Sequence, residues 1–285
     1  MSMIEQVAAD IIARAIAEDV GSGDVTTEGT VPPGQLARAR IVAKETGVLA
    51  GVTVAEAVFH GLDPSLVMTT QLIDGELLEP GAVVATLSGR SRAILTGERT
   101  ALNFLQHLSG VATATARYAA ELRGTGVRLL DTRKTTPGLR MLEKYAVAIG
   151  GGTNHRVGLW DMALIKENHI TAAAGIGPAV AGVRAKHPGI RIEVEVTNLT
   201  ELDRALDAHA DRVMLDNMSL DVMEQAIARA RAHDHPAEVE VSGNVTIERL
   251  REIAALGPDF ISVGSITHSA PALDLSLLID RGRGD

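Results

Sequence analysis

The feature of this sequence that most constrains its fold is a unit that occurs six times after residue 126. In each unit an apolar, β-branched run ends abruptly in polar residues, and between most of these runs lies a helix-like stretch. The runs end at Leu129–Asp131, Ala163–Lys166, Glu193–Val196, Val213–Asp216, Val239–Ser242 and Ile261–Gly264. Helices are predicted at Ile176–Lys186, Thr200–His209, Leu220–His233 and Thr246–Leu256. This alternation predicts an α/β fold with an open, incomplete (β/α) barrel whose polar strand ends share one rim, where barrel enzymes place their sites.

The first part of the chain has a different pattern. Apolar residues from Ile4 to Ile16 recur at helical spacing and predict an amphipathic helix. β-rich runs follow at Leu36–Ala43, Val67–Ile73 and Ala82–Leu87, separated by turn residues. Helical spacing returns over Arg92–Leu122. These patterns predict a small α+β module before the barrel.

Composition excludes several classes of protein. A net charge of −9 and an aromatic content of 2% argue against a nucleic-acid binder, which needs a basic face and stacking rings. The absence of cysteine excludes disulfides, thiol nucleophiles and Cys-ligated metals. Since no apolar run is long enough for a membrane span, and the first ten residues carry Glu5 and Asp10, we expect a cytoplasmic protein with no membrane partner.

The positive charges of this acidic chain are concentrated in one segment. Seven lysines and arginines lie between Arg128 and Lys166, against three acidic residues, which gives a local charge of +4. Such a run usually marks a solvated helix face. Here the cations lie among glycine, proline, threonine and apolar strand residues. This setting favours a binding site for a strongly anionic small molecule and an enzyme that acts on it.

The candidate anion-binding residues follow the first two strands. Arginine offers a fork that matches carboxylate or phosphate, and lysine adds a compact charge. The glycines at 150–152 could let the backbone approach a ligand. A solvated loop and a buried, satisfied imidazole at position 155 are the alternatives. The candidates are Thr132, Arg133, Lys134, His155, Arg156 and Lys166.

The later strand ends carry acidic and small residues. Glu195 and Asp216 suit sugar hydroxyls and Mg²⁺, or the stabilisation of a developing positive charge; ion pairs that only balance the arginines are the alternative. Exposed backbone N–H groups on the last two loops could hold a phosphate. The residues of these loops are Ser242, Gly243, Asn244, Gly264 and Ser265.

At these residues the chain resembles the quinolinate phosphoribosyltransferase family. The resemblance covers nearly the whole length and rests on long motifs in order. These are EDVGSGDVTT (18–27), GERTALNFLQHLSG (97–110), DTRKTTPGLR (131–140), KYAVAIGGGTNHR (144–156), KENH (166–169), EVEVTN (193–198), LDN (215–217), EVSGNV (240–245) and ISVGSITHS (261–269).

The resemblance implies an N-terminal α/β sandwich domain over 1–110, to which the tail 268–285 returns, and an open (β/α) barrel over 111–267. It implies quinolinate and phosphoribosyl pyrophosphate as substrates and Mg²⁺ as cofactor, bound mainly through pyrophosphate, with Glu195 and Asp216 as further ligands. It also implies a homodimer, or a higher oligomer of dimers, in which Arg99 of one subunit completes the site of its neighbour.

Residue roles follow from the same resemblance. Arg99, Arg133, Arg156 and Lys166 would surround the quinolinate carboxylates, with His155 and Lys134 beside them. Glu195 and Asp216 would face the ribose, and the loops at 242–244 and 264–265 would bind its 5′-phosphate. Lys134, Lys166, Glu195 and Asp216 are the expected catalytic residues.

Three other functions fit parts of the sequence. One is a related phosphoribosyltransferase with a different acceptor. The three arginines at 99, 133 and 156 favour a dicarboxylate over a monocarboxylate as the acceptor. Another is a Schiff-base aldolase that uses Lys134 or Lys166 as nucleophile. The third is a non-catalytic sensor of phosphoribosyl metabolites, which the carboxylates expected at the anomeric position disfavour.

Overall fold

The structure is a computed structural model that describes residues 3–280, with side chains from residue 8 onward. Its described residues form two compact units. The first unit comprises residues 3–116, 135–151 and 266–280, and the second comprises 117–134 and 152–265. The side chains of Ile4 and Val7 in the predicted first helix, and residues 281–285 of the predicted tail, lie outside the described part.

The first unit combines an antiparallel sheet with helices. Its strands are β1 (Leu36–Ala43), β2 (Gly47–Val48), β3 (Val67–Thr70), β4 (Leu77–Leu78), β5 (Val83–Arg90) and β12 (Leu275–Ile279). Its helices are α1 (Met3–Val20), α2 (Val25–Thr30), α3 (Val52–Leu62), α4 (Ser91–Glu121, up to residue 116) and α5 (Arg140–Ile149). A short helix, α11 (Ser265–His268), begins at the last residue of the second unit.

The main sheet of this unit has the order β12-β1-β5-β3. Strand β1 alternates exposed Arg38 and Arg40 with buried Ala39 and Ile41, which is the period-two pattern of a strand with one buried face. Strand β12 pairs antiparallel with β1 and contributes Leu275 and Leu277 to the core. The tail therefore returns to the first unit through residue 280.

The boundary predicted between residues 110 and 111 falls inside α4, whose helical spacing continues to Glu121. Residues 135–151, which the sequence placed with the barrel, are grouped with the first unit and contain α5. The difference arises because a change of hydrophobic period marks the ends of elements, whereas a compact unit is defined by contacts between residues distant in the sequence.

The second unit alternates strands and helices as predicted. Its strands are β6 (Arg128–Leu130), β7 (Ala163–Ile165), β8 (Ile192–Val196), β9 (Arg212–Asp216), β10 (Glu238–Ser242) and β11 (Phe260–Ser262). Its helices are α6 (Glu167–Ala172), α7 (Ile176–Lys186), α8 (Leu199–Asp207), α9 (Leu220–Ala232) and α10 (Ile247–Ala255). Local chemistry fixes these boundaries; the Asn198 side chain, for example, accepts the N–H of Glu201 at 2.9 Å and so begins α8.

The six strands form one parallel sheet in the order β6-β11-β10-β9-β8-β7. Strands β6 and β7, the first and second of this unit along the chain, lie at the two edges of the sheet and are not paired with each other, so this is the predicted open barrel. Because the strands are parallel, their carboxyl ends meet at one rim. Among the described residues, no helix is long and apolar enough to cross a membrane.

Candidate active site

The strand ends of the second unit surround a cavity of about 580 Å³. Eleven of the predicted site residues line it. They are Thr132, Arg133, Lys134, His155, Arg156, Lys166, Glu195, Asp216, Ser242, Gly243 and Asn244. The repeated strand–helix unit has therefore brought together residues from almost the whole length of the barrel.

Buried Asp131 connects the first two segments of the site. Its carboxylate accepts the backbone N–H of His155 at 2.8 Å, and its own N–H donates to the carbonyl of Thr153 at 3.2 Å. Leu130 and Thr153 also form a parallel β-bridge. The loop that carries Arg133 and the segment that carries Arg156 are thus held in a fixed register.

Four cations face this cavity: Arg133, Lys134, Arg156 and Lys166. Burial and the neighbouring positive charge of Arg133 lower the pKa of Arg156. The Arg156 Nη1 donates to the carbonyl of Met162 at 3.1 Å, which fixes the guanidinium in place. Two guanidinium groups held near each other at a partly buried site favour an anion with more than one negative group.

Lys166 and Glu195 form an ion pair across neighbouring strands. The Lys166 Nζ lies 2.5 Å from Oε2 of Glu195, with the lysine side chain 47% exposed and the glutamate 17% exposed. The structure therefore presents this lysine as a charged partner of a carboxylate. A Schiff-base nucleophile needs an uncharged amine, so the pair disfavours the aldolase alternative for Lys166.

A chain of side-chain amides extends the acidic end of the site. Asn217 donates through Nδ2 to Asp216 at 2.9 Å and accepts from Asn244 Nδ2 at 3.0 Å. Asn217 and Asn244 both have left-handed backbones, with φ of 53° and 47°. This conformation aims both amides along the rim and holds the Asp216 carboxylate in one orientation.

Gly243 is required by this arrangement. Its φ is +89°, and a Cβ there would lie 2.4 Å from the Asn217 Oδ1. We expect Gly243→Ala to lower the free energy of unfolding by about 2–3 kcal/mol, since left-handed strain costs about 1–2 kcal/mol and displacing Asn217 about 1 kcal/mol more. Urea unfolding measures this loss.

The matched control is Gly189→Ala in the same unit. Gly189 has a φ of +84°, and no atom lies within 4 Å of the position that a Cβ would take, so only backbone strain is added. Equal losses in both variants would show that contact with Asn217 does not matter.

Behind the rim residues, the barrel interior holds a cluster of four nearly inaccessible charged or ionisable side chains. Glu193 and Glu240 are fully buried, and Arg212 and His155 are 7% exposed. The His155 Nε2 lies 2.9 Å from Oε2 of Glu193 and 3.3 Å from Oε2 of Glu240. Arg212 Nη1 lies 3.4 Å from the same Glu240 oxygen, and its guanidinium is 3.9 Å from the ring centre of Phe260. Water cannot screen these charges, so the pKa values of the histidine and the two glutamates shift.

The contacts determine where the protons of this cluster sit. Burial lowers the pKa of His155, but hydrogen bonds to Glu193 and Glu240 outweigh it and raise that pKa to about 9. Burial and the charge of Glu240 raise the pKa of Glu193 to about 7. The raised pKa of His155 makes its ring an imidazolium at neutral pH, and the positive charge of the ring offsets that of the two buried carboxylates. The backbone nitrogen of Arg156 lies 2.7 Å from His155 Nδ1.

Within the described part of the chain, one group of His and carboxylate side chains has its ligand atoms close enough for a metal ion, within 4.8 Å of one another: His155, Glu193 and Glu240. Arg212 adjoins this group and opposes a cation there. Glu195 and Asp216, the predicted magnesium ligands, line the cavity instead. Two carboxylates at an open rim fit a Mg²⁺ ion that takes its other ligands from phosphate and water.

Three predicted site residues are not part of the cavity lining as described. Arg99 is exposed on α4 in the first unit. Gly264 and Ser265 follow β11 and are partly buried, with Ser265 at the start of α11. Their roles stay predictions.

The cavity also contains residues that sequence reasoning did not select. They are Leu164, Met214, Asn217, Glu240 and Ser262. Glu240 could have been predicted from the sequence. It lies two residues before Ser242, and side chains two residues apart in a strand lie on the same face. The position of the Asn217 side chain depends on a left-handed backbone conformation, which no local sequence pattern predicts.

The three other cations of the basic segment, which were not among the predicted site residues, are not part of the cavity lining. Arg128 lies over the Phe260 ring at 4.2 Å from its centre, and Arg140 donates to Thr135 Oγ1 at 3.0 Å. Lys144 lies on α5 and is 1% exposed. Four of the seven cations remain at the cavity, so the charge count of the segment overstated the site.

Two glycines of the run at 150–152 have structural roles in the fold. A Cβ on Gly150 would lie 2.4 Å from the carbonyl oxygen of Ala112 and 2.7 Å from Cβ of Thr115. Gly151 has a φ of +86°, which suits the turn after α5. Packing against α4 and the turn account for Gly150 and Gly151, and the predicted approach of this backbone to a ligand stays a prediction.

Barrel proteins bind their ligands at the carboxyl ends of the strands, and in this chain that rim is cationic. Two carboxylates lie at the same rim, and one of them, Glu195, pairs with Lys166. The chain is therefore an open-barrel enzyme with a site for small, strongly anionic substrates.

Comparison with known proteins identifies the family of this enzyme. The family model "Quinolinate phosphoribosyl transferase, N-terminal domain" matches residues 24–109, and the corresponding C-terminal domain model matches residues 111–278. The chain belongs to the quinolinate phosphoribosyltransferase family, which confirms the resemblance found in its motifs.

Relatives agree over nearly their full length. The chain is 44% identical to the probable nicotinate-nucleotide pyrophosphorylase [carboxylating] of Synechocystis sp., covering 93% of this chain and 90% of that protein. It is 41% identical to the nicotinate-nucleotide pyrophosphorylase [carboxylating] of Mycobacterium leprae, covering 95% and 96%. The solved structure of the nicotinate-nucleotide pyrophosphorylase from Francisella tularensis superposes with a TM-score of 0.92 at 41% identity, covering 97% of each chain.

Proposed function

We propose that this protein transfers the phosphoribosyl group of phosphoribosyl pyrophosphate to quinolinate, with decarboxylation, and so makes nicotinate mononucleotide, pyrophosphate and CO₂ for NAD biosynthesis. The observation that carries the proposal is a cavity that holds Arg133 and Arg156 together with two lysines. Burial, and then the charge of Arg133, lower the pKa of Arg156. A pyridine dicarboxylate supplies the two negative groups that such a pair requires.

The cavity offers a place for each part of both substrates. Arg133, Arg156 and Lys166 bind the quinolinate carboxylates, with Lys134 beside them. The carboxylates of Glu195 and Asp216 accept hydrogen bonds from ribose hydroxyls. The turn at residues 242–244 binds the 5′-phosphate through backbone N–H groups, and Gly264 and Ser265 extend this contact.

The chemistry needs no covalent enzyme intermediate. The lone pair of the pyridine nitrogen forms the new bond to the anomeric carbon as the carbon–oxygen bond to pyrophosphate breaks, and pyrophosphate leaves with that electron pair. The ribose gains oxocarbenium character in this step, which Glu195 or Asp216 stabilises. The carbon–carbon bond to the 2-carboxylate then breaks; CO₂ leaves, the ring carbon takes up the electron pair, and a proton replaces the lost group.

The cations have two roles in this reaction. They overcome the repulsion between a dicarboxylate and a pyrophosphate brought into contact, and Lys134 offsets charge on the leaving group. Glu195 and Asp216 would help to hold a Mg²⁺ ion bound mainly through pyrophosphate, and such an ion would supply additional neutralisation of that charge.

We also propose that the enzyme is a homodimer in which Arg99 of each subunit reaches the site of its neighbour. The exposed position of Arg99 on α4 is compatible with a partner contact. Arg99→Ala is expected to weaken quinolinate binding by about 2–5 kcal/mol, the range for removing one member of a desolvated charge pair. Isothermal titration with quinolinate measures the loss, and unchanged affinity would contradict the assignment.

Subunit mixing separates a shared site from a site within one chain. A heterodimer of Arg99→Ala and Glu195→Gln subunits holds one site with both native residues if Arg99 crosses the interface. Refolding the two variants together should then restore about a quarter of wild-type activity, by random pairing in a two-fold dimer. No restoration is expected if each site uses its own Arg99.

The activity itself is tested directly. The protein is incubated with quinolinate, phosphoribosyl pyrophosphate and Mg²⁺ while CO₂ and nicotinate mononucleotide are followed. Replacing quinolinate by nicotinate tests a monocarboxylate acceptor, and borohydride with a carbonyl substrate tests an aldolase at Lys134. Absence of nicotinate mononucleotide would refute the proposal. The cytoplasmic location expected from the sequence stays a prediction.

A further inference from the structure

Two exposed asparagines connect separate parts of the rim in the second unit. Asn217 follows β9 and Asn244 lies in the turn after β10, and both line the cavity. The Asn217 Nδ2 lies 2.9 Å from Oδ2 of Asp216, and the Asn244 Nδ2 lies 3.0 Å from Oδ1 of Asn217. A line of three side chains therefore runs from the turn at residues 242–244 to the Asp216 carboxylate.

The chemistry of these groups gives the line one direction. An ionised carboxylate only accepts hydrogen bonds, so Asn217 must face Asp216 with its Nδ2. The Oδ1 of Asn217 then faces Asn244 and also only accepts, so Asn244 must donate to it. Asn244 thereby fixes the orientation of the Asn217 amide, and that amide directs one carboxylate oxygen of Asp216. The second oxygen of Asp216 is left for a ribose hydroxyl.

The backbone supports the same arrangement. The Asn217 N–H donates to the carbonyl of Ser242 at 3.1 Å, which ties the residue after β9 to the last residue of β10. The Asn217 amide also lies directly against Gly243, since a Cβ there would be 2.4 Å from the amide Oδ1. The end of β9 and the turn after β10 are therefore one hydrogen-bonded structure.

This turn is also the proposed binding site of the 5′-phosphate. A phosphate held by the backbone N–H groups of residues 242–244 would restrict the turn, and Asn244 is part of it. The two amides carry that restriction to Asp216. Binding energy from the distant phosphate is then used at the ribose, where it raises kcat.

We propose that Asn217 and Asn244 are positioning residues whose side-chain amides couple the 5′-phosphate subsite to the Asp216 carboxylate at the ribose. The coupling makes the position of Asp216, and with it kcat, depend on the 5′-phosphate. This inference rests on the proposed function for the identity of the sugar substrate. The backbone of the turn binds the phosphate, and the amides act through Asp216.

The first test removes one amide and keeps the backbone conformation. Asn244→Gly retains a residue that readily adopts the φ of 47°, and the lost side chain is exposed. We expect kcat to fall about threefold to tenfold, which corresponds to the loss of one hydrogen bond, and the Kd for quinolinate to stay within about twofold. An unchanged kcat would overturn the proposal. The control is Ala174→Gly, at an exposed position of the same unit with a φ of 57°, which should change neither constant.

A double-mutant cycle tests whether the effect passes through Asp216. In an Asp216→Ala background, Asn244→Gly should change kcat by less than about twofold, because the carboxylate that the amides position is gone. A side chain that binds the phosphate directly would lose the same factor in both backgrounds. Equal losses therefore contradict the proposal.

A comparison of two sugar substrates measures the coupling itself. One is phosphoribosyl pyrophosphate, and the other is ribose 1-pyrophosphate, which lacks the 5′-phosphate. We expect the 5′-phosphate to raise kcat at least about threefold more in the wild type than in Asn244→Gly, because the variant lacks the amide that transmits its binding. The same ratio in both proteins would show that no coupling runs through Asn244.

The closing experiment needs no turnover. Nitrogen-15 NMR follows the side-chain amides while inorganic phosphate is added, and Asn217→Gly and Asn244→Gly assign the two signals. Phosphate should shift the Asn217 amide in the wild type and leave it in place in Asn244→Gly. An unshifted Asn217 signal in the wild type, or an equal shift in the variant, would overturn the proposal. If the expected shifts occur but the wild type forms no nicotinate mononucleotide, the proposed function fails while the coupling between the turn and Asn217 stands.

Discussion

Glu195→Gln is expected to lower kcat by about 10²–10³-fold and to leave the Kd for quinolinate within about twofold. The amide keeps the size of the side chain and removes its negative charge. In the proposed reaction the anomeric carbon becomes more positive in the transition state than in the bound substrate, so the carboxylate contributes mainly to kcat. Lys166 loses its ion-pair partner but is 47% exposed and remains solvated. Steady-state kinetics and quinolinate titration measure the two quantities.

The matched control is Glu224→Gln, a charge removal at an exposed position of α9 in the same unit, which should leave both constants unchanged. A variant at Glu195 that keeps kcat but binds quinolinate poorly would contradict the assigned role. In that case Glu195 would act by holding Lys166 for the carboxylates and not by stabilising the ribose.

The sequence predicted those parts of the fold that depend on local periodicity. Strand β1 has the predicted bounds, and the barrel strands fall within one or two residues of the predicted runs. Strands β2 and β4 have two residues each and exist because Gly47 pairs with Leu78, although α3 and β3 lie between them in the chain. No local pattern contains that information. The same holds for the pairing of β12 with β1.

The site was predictable where a polar residue follows an apolar strand, as at Lys166 or Asp216. It was not predictable where function depends on position within the barrel. Glu193 and Glu195 differ by two residues on one strand and share a face, yet the first is fully buried in a charge cluster and the second lines the cavity. Their depth is set by the barrel, so the motif that contains both could not separate the carboxylate that lines the cavity from the buried one.

Arg212→Met is expected to lower the free energy of unfolding by about 3–5 kcal/mol, because it leaves buried carboxylates without their cation. The guanidinium donates to Glu238 Oε2 at 3.1 and 3.0 Å and to Glu240 Oε2 at 3.4 Å, and it packs on the Phe260 ring. Methionine fills much of the volume of the arginine side chain, so the loss of unfolding free energy reflects the lost charge more than lost packing. Urea unfolding followed by far-UV circular dichroism measures it.

The control replaces an arginine by the same residue at the surface of the same unit. Arg229 pairs with Asp203 at 2.8 Å, with about half of each side chain exposed, so Arg229→Met should cost about 0–1 kcal/mol. If charge is the cause at Arg212, adding Glu240→Gln to Arg212→Met should recover part of the loss, because the fully buried carboxylate is then neutral. Additive destabilisation by the two changes would instead assign the loss to packing against Phe260.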